Sequence, residues 1–376
     1  MFPIALVTSI TLTGVLIYLG AATFLLLFIL KQKSKQVELS FLGFRQIHTA
    51  FLAYIFAFTL TKVINSGFQD GINICLRFCQ DYFVFIWVLL FIANSSKNQK
   101  IVKYAILVAS LISVFYGVMQ LLHLDLFHRQ VDIARLSGFH KNPYSYGGQL
   151  IVLFFFLLTF FRSFTNKVLE VLILGLTFTC LLNTSERAVI FGVIAGVVLY
   201  YTLPKVKNLE LSKLLVVFLL PALITYFINE KVIKRIKRAV VPQQGMKPNI
   251  RFRLWGIAFT IWKRNLLFGM GAFPKVYHGL KVLTHAHNTY LQILVVNGIV
   301  GLLAFVNLFF SISKVLIRDL KNNSYASCLL SIFLAFFIEG IFEYFWGDSE
   351  VRYTLLYFMG FVVGLSLDSN LKEYKK

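Results

Sequence analysis

Apolar runs approaching the length of a membrane crossing recur along the whole chain, and they leave few folds open to it. Eleven are read, at residues 2–30, 41–60, 72–93, 101–122, 144–161, 168–182, 188–203, 211–228, 289–312, 326–346 and 351–367. About 20 apolar residues in helical form cross a hydrocarbon core, and the shorter runs can borrow flanking residues or snorkelling Lys and Arg. Helices are implied, not a barrel. The first run, 29 residues long, fits one long tilted helix or two short ones broken near Gly14. Met1-Phe2-Pro3 has no basic stretch before that run, so no cleavable signal peptide is expected.

Composition agrees. Of 376 residues, 58% are hydrophobic and only 14% charged, with a mean hydropathy of +0.75, so a solvated surface of ordinary area could not be covered. Forty Phe and 17 Tyr exclude a hydrated coil. The net charge of +21 suits a chain lying against anionic lipid or handling an anionic substrate. Four Cys are too few for a disulfide framework, and Cys75, Cys79, Cys180 and Cys328 all read as buried apolar side chains. The predicted fold class is all-α: a polytopic transmembrane helix bundle of about 11–12 spans with one long external loop that carries short amphipathic helices. Three segments follow, an N-terminal bundle at 1–228, a basic external loop at 229–287, and C-terminal helices with a short cytoplasmic tail at 288–376.

Orientation comes from charge. Placing the Lys372, Lys375 and Lys376 tail in the cytoplasm assigns 18 Lys and Arg to the short inside loops, among them Lys33, Lys100, Lys205 and Lys321. The loop at 229–287 then lies outside, with 12 Lys or Arg against one acid, Glu230. Long loops can be translocated despite such charge, and the concentration points to an anionic ligand. Lys231 to Arg238 places Val232, Ile233, Ile236 and Val240 on one face, an interfacial helix whose simplest role is anchoring the loop to headgroups. Pro242-Gln243-Gln244-Gly245 breaks it. A second amphipathic stretch repeats Arg251, Trp255, Ala258 and Trp262 before the Gly269-Met270-Gly271 turn.

The densest constellation is His285-Ala286-His287-Asn288-Thr289, followed by Gly298-Ile299-Val300-Gly301 inside the next span. His287 falls at the mouth of a helix, where an imidazole can meet both water-borne and lipid-borne groups and take a proton. A metal site is the rival chemistry, but His-x-His with no nearby carboxylate or Cys offers two ligands at most, so no metal and no cofactor are expected. Single arginines stand among apolar or small residues at Arg135, Arg187 and Arg251, and guanidinium forks suit phosphate oxygens. Arg187 has a structural alternative in pairing with Glu186, or with Glu339 and Glu343, which are read as one turn apart on one helix face. Three arginines and a histidine on one membrane side suit a lipid-linked diphosphate.

These residues resemble the O-antigen ligase and polymerase superfamily, polytopic bacterial enzymes that move glycans from undecaprenyl pyrophosphate onto an acceptor. His287-Asn288 with Gly298 and Gly301 fits the family's His-Asn and Gly-x-x-Gly pattern. Arg251-Phe252-Arg253-Leu254-Trp255 with Gly269-Met270-Gly271 looks like its Arg-x-x-x-Trp and Gly-x-Gly stretch. Arg135-Leu136-Ser137-Gly138 with Asn142-Pro143 looks like its Arg-x-x-Gly and Asn-Pro-Asn loop, and Thr184-Ser185-Glu186-Arg187 like its Ser-Arg helix start. Asn297 departs from the frequent Glu, Tyr144 from the last Asn of Asn-Pro-Asn, and Glu186 splits the Ser-Arg pair.

The resemblance implies an inverting, metal-independent transfer at the periplasmic face of the inner membrane. Arg187 and Arg251 would hold the departing pyrophosphate, Arg135 would assist, and His287 would activate the acceptor hydroxyl. Asn288, His285, Arg253, Glu339 and Glu343 would support them, Glu339 or Glu343 by ion pairing with a site arginine. The donor is an undecaprenyl-pyrophosphate-linked glycan. The acceptor is lipid A core for a ligase, the favoured reading, or a second lipid-linked glycan for a polymerase. Membrane lipids are partners and nucleic acid is not. A transporter of lipid-linked sugars is the rival class, but it would carry midplane ionisable groups or internal repeats, and neither is found.

Overall fold

The computed structural model describes residues 2–8, 16, 45–93, 95–127, 135–162, 166–204, 211–229, 250–278 and 281–373. The helix read at 231–238, the break at 242–245, Lys33 and Lys205 lie outside the described residues, as does the choice between one span and two over most of 2–30.

Among the described residues the chain is all-α apart from one hairpin. Its helices are α1 (Phe2–Thr8), α2 (Arg45–Ser66), α3 (Phe68–Ala93), α4 (Ser96–Leu121), α5 (Pro143–Phe161), α6 (Lys167–Asn183), α7 (Arg187–Thr202), α8 (Leu211–Ile228), α9 (Ile250–Arg264), α10 (Thr289–Arg318), α11 (Ser324–Phe342) and α12 (Ser349–Glu373). Seven of them are long and apolar enough to cross a membrane: α2 to α5 and α10 to α12. The protein is a multi-pass membrane protein: among the described residues these seven helices cover seven of the eleven runs read from the sequence. The runs at 168–182, 188–203 and 211–228 form the helices α6, α7 and α8, which are not among the seven, and most of 2–30 lies outside the described residues. Between α9 and α10, β1 (Val276–His278) pairs antiparallel with β2 (Lys281–Leu283), a hairpin that the apolar pattern does not announce.

The core follows from which helices are apolar all round. In α5 every residue from Ser145 to Phe161 is buried, so it runs through the middle of the bundle, and α12 is nearly as enclosed. α7 packs on α11, α3 on α12, and α2 on α10. Gly192 and Gly196 let α7 and α11 approach: a Cβ on either would come within 2.5 Å of Ala335 O or 2.7 Å of Ser331 O. That spacing fixes an antiparallel register, 192 beside 335 and 196 beside 331, which puts Arg187 at the level of Glu339 and Gly340. Cys180 and Cys328 are buried as expected, whereas on α3 Cys75 is half-buried and Cys79 exposed, which corrects the expectation for these two.

One buried ion pair ties the bundle together. Arg352 Nε lies 3.0–3.1 Å from the Asp81 carboxylate, and its Nη1 donates to Trp346 O at 2.7 Å. Trp346 in turn donates its indole N–H to Tyr54 at 2.8 Å. α12, α3, α2 and the turn after α11 are thereby joined by polar contacts, with Arg352 and Asp81 1–2% exposed.

Candidate active site at one end of the bundle

The motif residues first act as local structure. Asn142 caps α5 by accepting from Tyr144 N, with Pro143 filling the first helical position, and Asn288 caps α10 by accepting from Leu291 N at 2.9 Å. Asn288 also donates to Ile341 O at 2.8 Å, and Thr289 donates to Glu343 O at 2.8 Å. These bonds clamp the start of α10 against the end of α11. His287, immediately before the cap, has φ +48, a left-handed conformation uncommon for a side-chain-bearing residue and frequent at functional sites.

The glycine motifs pair with each other. At Gly298, φ +63 and ψ −164 break the ladder of α10. The segment after α9 fills the break: Met270 N and Gly271 N donate to Val295 O and Val296 O at 2.7 and 2.9 Å, while Ile299 N and Val300 N donate to Leu266 O and Leu267 O at 2.9 and 3.2 Å. A Cβ at Gly298 would stand 2.2 Å from Leu267 O, so only glycine admits this approach. The Gly-x-Gly turn and the Gly-x-x-Gly break are therefore two halves of one backbone joint that locks the α9 loop into α10. Asn297, the departure from the family's Glu, is buried in this joint and donates to Thr61 at 2.7 Å.

The joint sets α9 beside the end of α11, and there the chemistry converges. α11 stops at Phe342. Glu343 is extended, with φ −146 and ψ 160, so it does not share a helical face with Glu339 as the span read to 346 implies; it turns toward the α9 and α10 sides. Its carboxylate lies 2.9 and 3.1 Å from His287 Nδ1, 3.5 Å from Arg251 Nη2 and 3.8 Å from His285 Nε2, and it accepts from Tyr344 N at 3.1 Å. Burial alone would raise this carboxyl, but the hydrogen bond and charge of His287, then Tyr344 N–H and Arg251, outweigh it and hold Glu343 below the ordinary range. Being a carboxylate, it can only accept, so Nδ1 of His287 carries a proton, and Nε2 is the acceptor whenever the ring is neutral. His285 lies against His287 with ring centroids 4.1 Å apart and planes tilted by 53°, and burial together with His287 lowers its basicity.

The other arginines stand at the same end. Leu136 N bonds Asn183 O at 2.9 Å, joining the 135–142 loop to the turn before α7. Arg135 pairs with Glu186, donates to Thr184 O at 3.0 Å and lies over the Tyr144 ring, 5.0 Å from its centroid. The alternative that gave Glu186 to Arg187 is thus replaced by Arg135, and Arg187 is the first residue of α7 with an exposed side chain. Arg253 is exposed on α9. Arg251, Glu343 and the two histidines meet directly; Arg135 and Arg187 are brought to the same end without a described contact to that group.

A cavity of about 390 Å³ opens beside the dyad, lined by His285, His287, Glu339, Glu343, Tyr144 and Asp348 among others. The expectation of two metal ligands at most is corrected here: His285, His287 and Glu343 bring ligand atoms within 4.8 Å of one another, the third from 56 residues downstream. These donors suit a zinc-type ion in kind. Glu343, however, is already engaged by His287 and by the Arg251 guanidinium, whose charge opposes a cation there.

The structure is thus a multi-pass helical membrane protein that gathers a histidine–carboxylate pair and arginines at one end of its bundle. Residues 171–306, from α6 into α10, match the family model described as O-Antigen ligase, which supports the resemblance to the O-antigen ligase and polymerase superfamily. No curated protein matches the chain.

Proposed function

We propose that the protein is an inner-membrane glycosyltransferase that moves a glycan from undecaprenyl pyrophosphate to an acceptor sugar hydroxyl at the periplasmic face, with the O-antigen ligase reaction favoured over polymerisation. The observation that carries the reading is the His287–Glu343 pair with Arg251 on its other side: a proton acceptor and a phosphate-type cation share one carboxylate.

In this reading Nε2 of His287 takes the acceptor hydroxyl proton as that oxygen bonds to the donor's anomeric carbon, and the bond from that carbon to the pyrophosphate oxygen breaks. Glu343 orients the ring through Nδ1 and stabilises the imidazolium that forms. A single displacement inverts the anomeric carbon. Diphosphate is a leaving group of low basicity, so arginine charge replaces an acid and a metal. Arg251 is assigned to it first, since Glu343 engages only part of its five-donor fork; Arg187 and Arg253, exposed at this end, come next. Arg135 is assigned a supporting role through Glu186 and Tyr144. His285, between His287 and Tyr344, shapes the wall, and Asn288 positions His287 by capping α10.

The test uses purified protein and an undecaprenyl-pyrophosphate-linked repeat in detergent, with lipid A core or a second lipid-linked repeat as acceptor. Release of undecaprenyl pyrophosphate with a lengthened product, without a membrane potential, is expected. Core as the productive acceptor marks a ligase; lipid-linked repeat marks a polymerase. No turnover with either acceptor rejects the reading.

A further inference from the structure

The cavity beside His287 is lined by three carboxyl groups, Glu339, Glu343 and Asp348, and its lining contains no Lys or Arg. A diphosphate would meet like charge there, so the cavity is not its seat. Its size falls within the ~300–1,000 Å³ typical of small-ligand sites, and its walls mix carboxyl and amide groups with Tyr144, Tyr344 and Phe345, a lining suited to a sugar ring.

The three carboxyls are not equivalent. Glu343 is taken by His287, Arg251 and Tyr344 N–H. Asp348 accepts from the Ser145 hydroxyl and caps α12 through Glu350 N at 3.1 Å and Val351 N at 3.4 Å. Glu339 is 2% exposed, and its Oε2 has no hydrogen-bond partner among the described residues. The expected ion pair between a site arginine and Glu339 or Glu343 is formed by Glu343, not by Glu339. A buried carboxyl oxygen with no donor is costly, and buried polar groups are nearly always satisfied. Glu339 faces the same cavity as the base, one turn of α11 before the residue that orients it.

Resting on the transferase reading, we infer that Glu339 binds a hydroxyl of the acceptor sugar in this cavity and so helps to decide which acceptor is used. The hydroxyl supplies the missing donor, and the acceptor is favoured over the donor sugar because the cavity is lined by His287, the proton acceptor, and not by Arg251, the arginine assigned to the pyrophosphate. An uncharged donor is specified: a sugar hydroxyl, not an ammonium group.

The experiment measures KM for whichever acceptor the wild type uses, and KM for the lipid-linked donor, in Glu339→Leu and Glu339→Gln. Leu should raise acceptor KM by roughly 10–100-fold, the size of a lost hydrogen bond to a buried carboxyl. Donor KM should stay at the wild-type value. Gln, which still accepts from a hydroxyl, should stay within about threefold. Unchanged acceptor KM in Leu, a shift in donor KM instead, or Gln as damaging as Leu each overturns the inference; the last would mean a charged partner. If Leu does not accumulate, the Gln variant with an acceptor lacking single hydroxyls decides, since loss of the bound hydroxyl must weaken wild type and both effects must coincide at one position. A wild type that transfers nothing to either acceptor rejects the underlying reading and the inference with it, whereas transfer with an unchanged acceptor KM in Leu overturns the inference alone.

Discussion

Two arginine–carboxylate pairs, Arg352–Asp81 and Arg251–Glu343, use the same chemistry to opposite ends. The first is sealed, with both side chains 1–2% exposed, contacts of 3.0–3.1 Å and a further bond from Arg352 to Trp346 O. The second is loose at 3.5 Å, with Arg251 27% exposed and Glu343 shared among His287, His285 and Tyr344 N–H. A closed pair inside a bundle fixes helices and is buried out of a ligand's reach. A partly exposed one keeps its guanidinium within reach of solvent, and in this protein it does so where a histidine and a cavity meet. The difference lies in the backbone: Arg352 sits within α12 against α3, whereas Glu343 lies past the end of α11 and Arg251 in the first turn of α9.

That contrast can be broken by exchanging the roles. Arg352→Ala leaves Asp81 buried and unpaired, a loss of about 3–5 kcal/mol for a buried pair. Folded protein recovered from membranes should fall steeply, while Arg251→Ala should accumulate normally; size-exclusion profiles of the two variants decide it. Equal yields would show that the sealed pair is not structural.

Next in size is the effect on turnover of Arg251→Lys and Arg187→Lys. Charge is kept but the bidentate fork is lost, so turnover of lipid-linked donor should drop by roughly 10²-fold in Arg251→Lys. The fall should be smaller in Arg187→Lys, which has no described contact with the dyad. Wild-type kinetics in both would return these arginines to structural roles.

A smaller effect is expected on acidification. Glu343 is held below its ordinary value of 4.5, so the unfolded chain binds its proton more readily than the folded one. The stability it contributes is fully present above about pH 4.5 and is lost as pH falls through the folded value. Wild type should therefore melt above Glu343→Gln from pH 6 to 8, and the two melting curves should converge in more acid solution. A gap that widens with acid would contradict the direction of the shift. Smallest of all is the effect of chelator: turnover should be unchanged in EDTA, even though His285, His287 and Glu343 cluster closely enough to hold an ion. Loss of activity restored by Zn²⁺ would make that cluster a metal centre.

Much of this arrangement is legible in the sequence, and the rest has physical reasons for staying hidden. The spans can be read because lipid demands long apolar helices. His287-Asn288 can be read as a helix mouth because Asn is a capping residue, and the capping bond to Leu291 N is present. The joint between Gly269-Met270-Gly271 and Gly298 is made of backbone hydrogen bonds across a broken helix, which no side-chain pattern marks beyond the glycines themselves. The partner of His287 is also hidden. Glu343 reaches it only because α11 ends at Phe342, four residues earlier than an apolar count to Trp346 suggests, which swings the carboxylate out of register with Glu339. The third possible metal ligand is missed for the same reason.

The central claim, that His287 and Glu343 act as one proton-accepting unit, is tested most directly by a double-mutant cycle on transfer from an undecaprenyl-pyrophosphate-linked donor. His287→Ala should lose roughly 10²–10⁴-fold in turnover with donor binding retained. Glu343→Gln should lose less, and the double variant no more than His287→Ala alone, because a residue that acts only through the imidazole has nothing to orient once the ring is gone. Losses that multiply across the double variant, or near-normal turnover in His287→Ala, would contradict it.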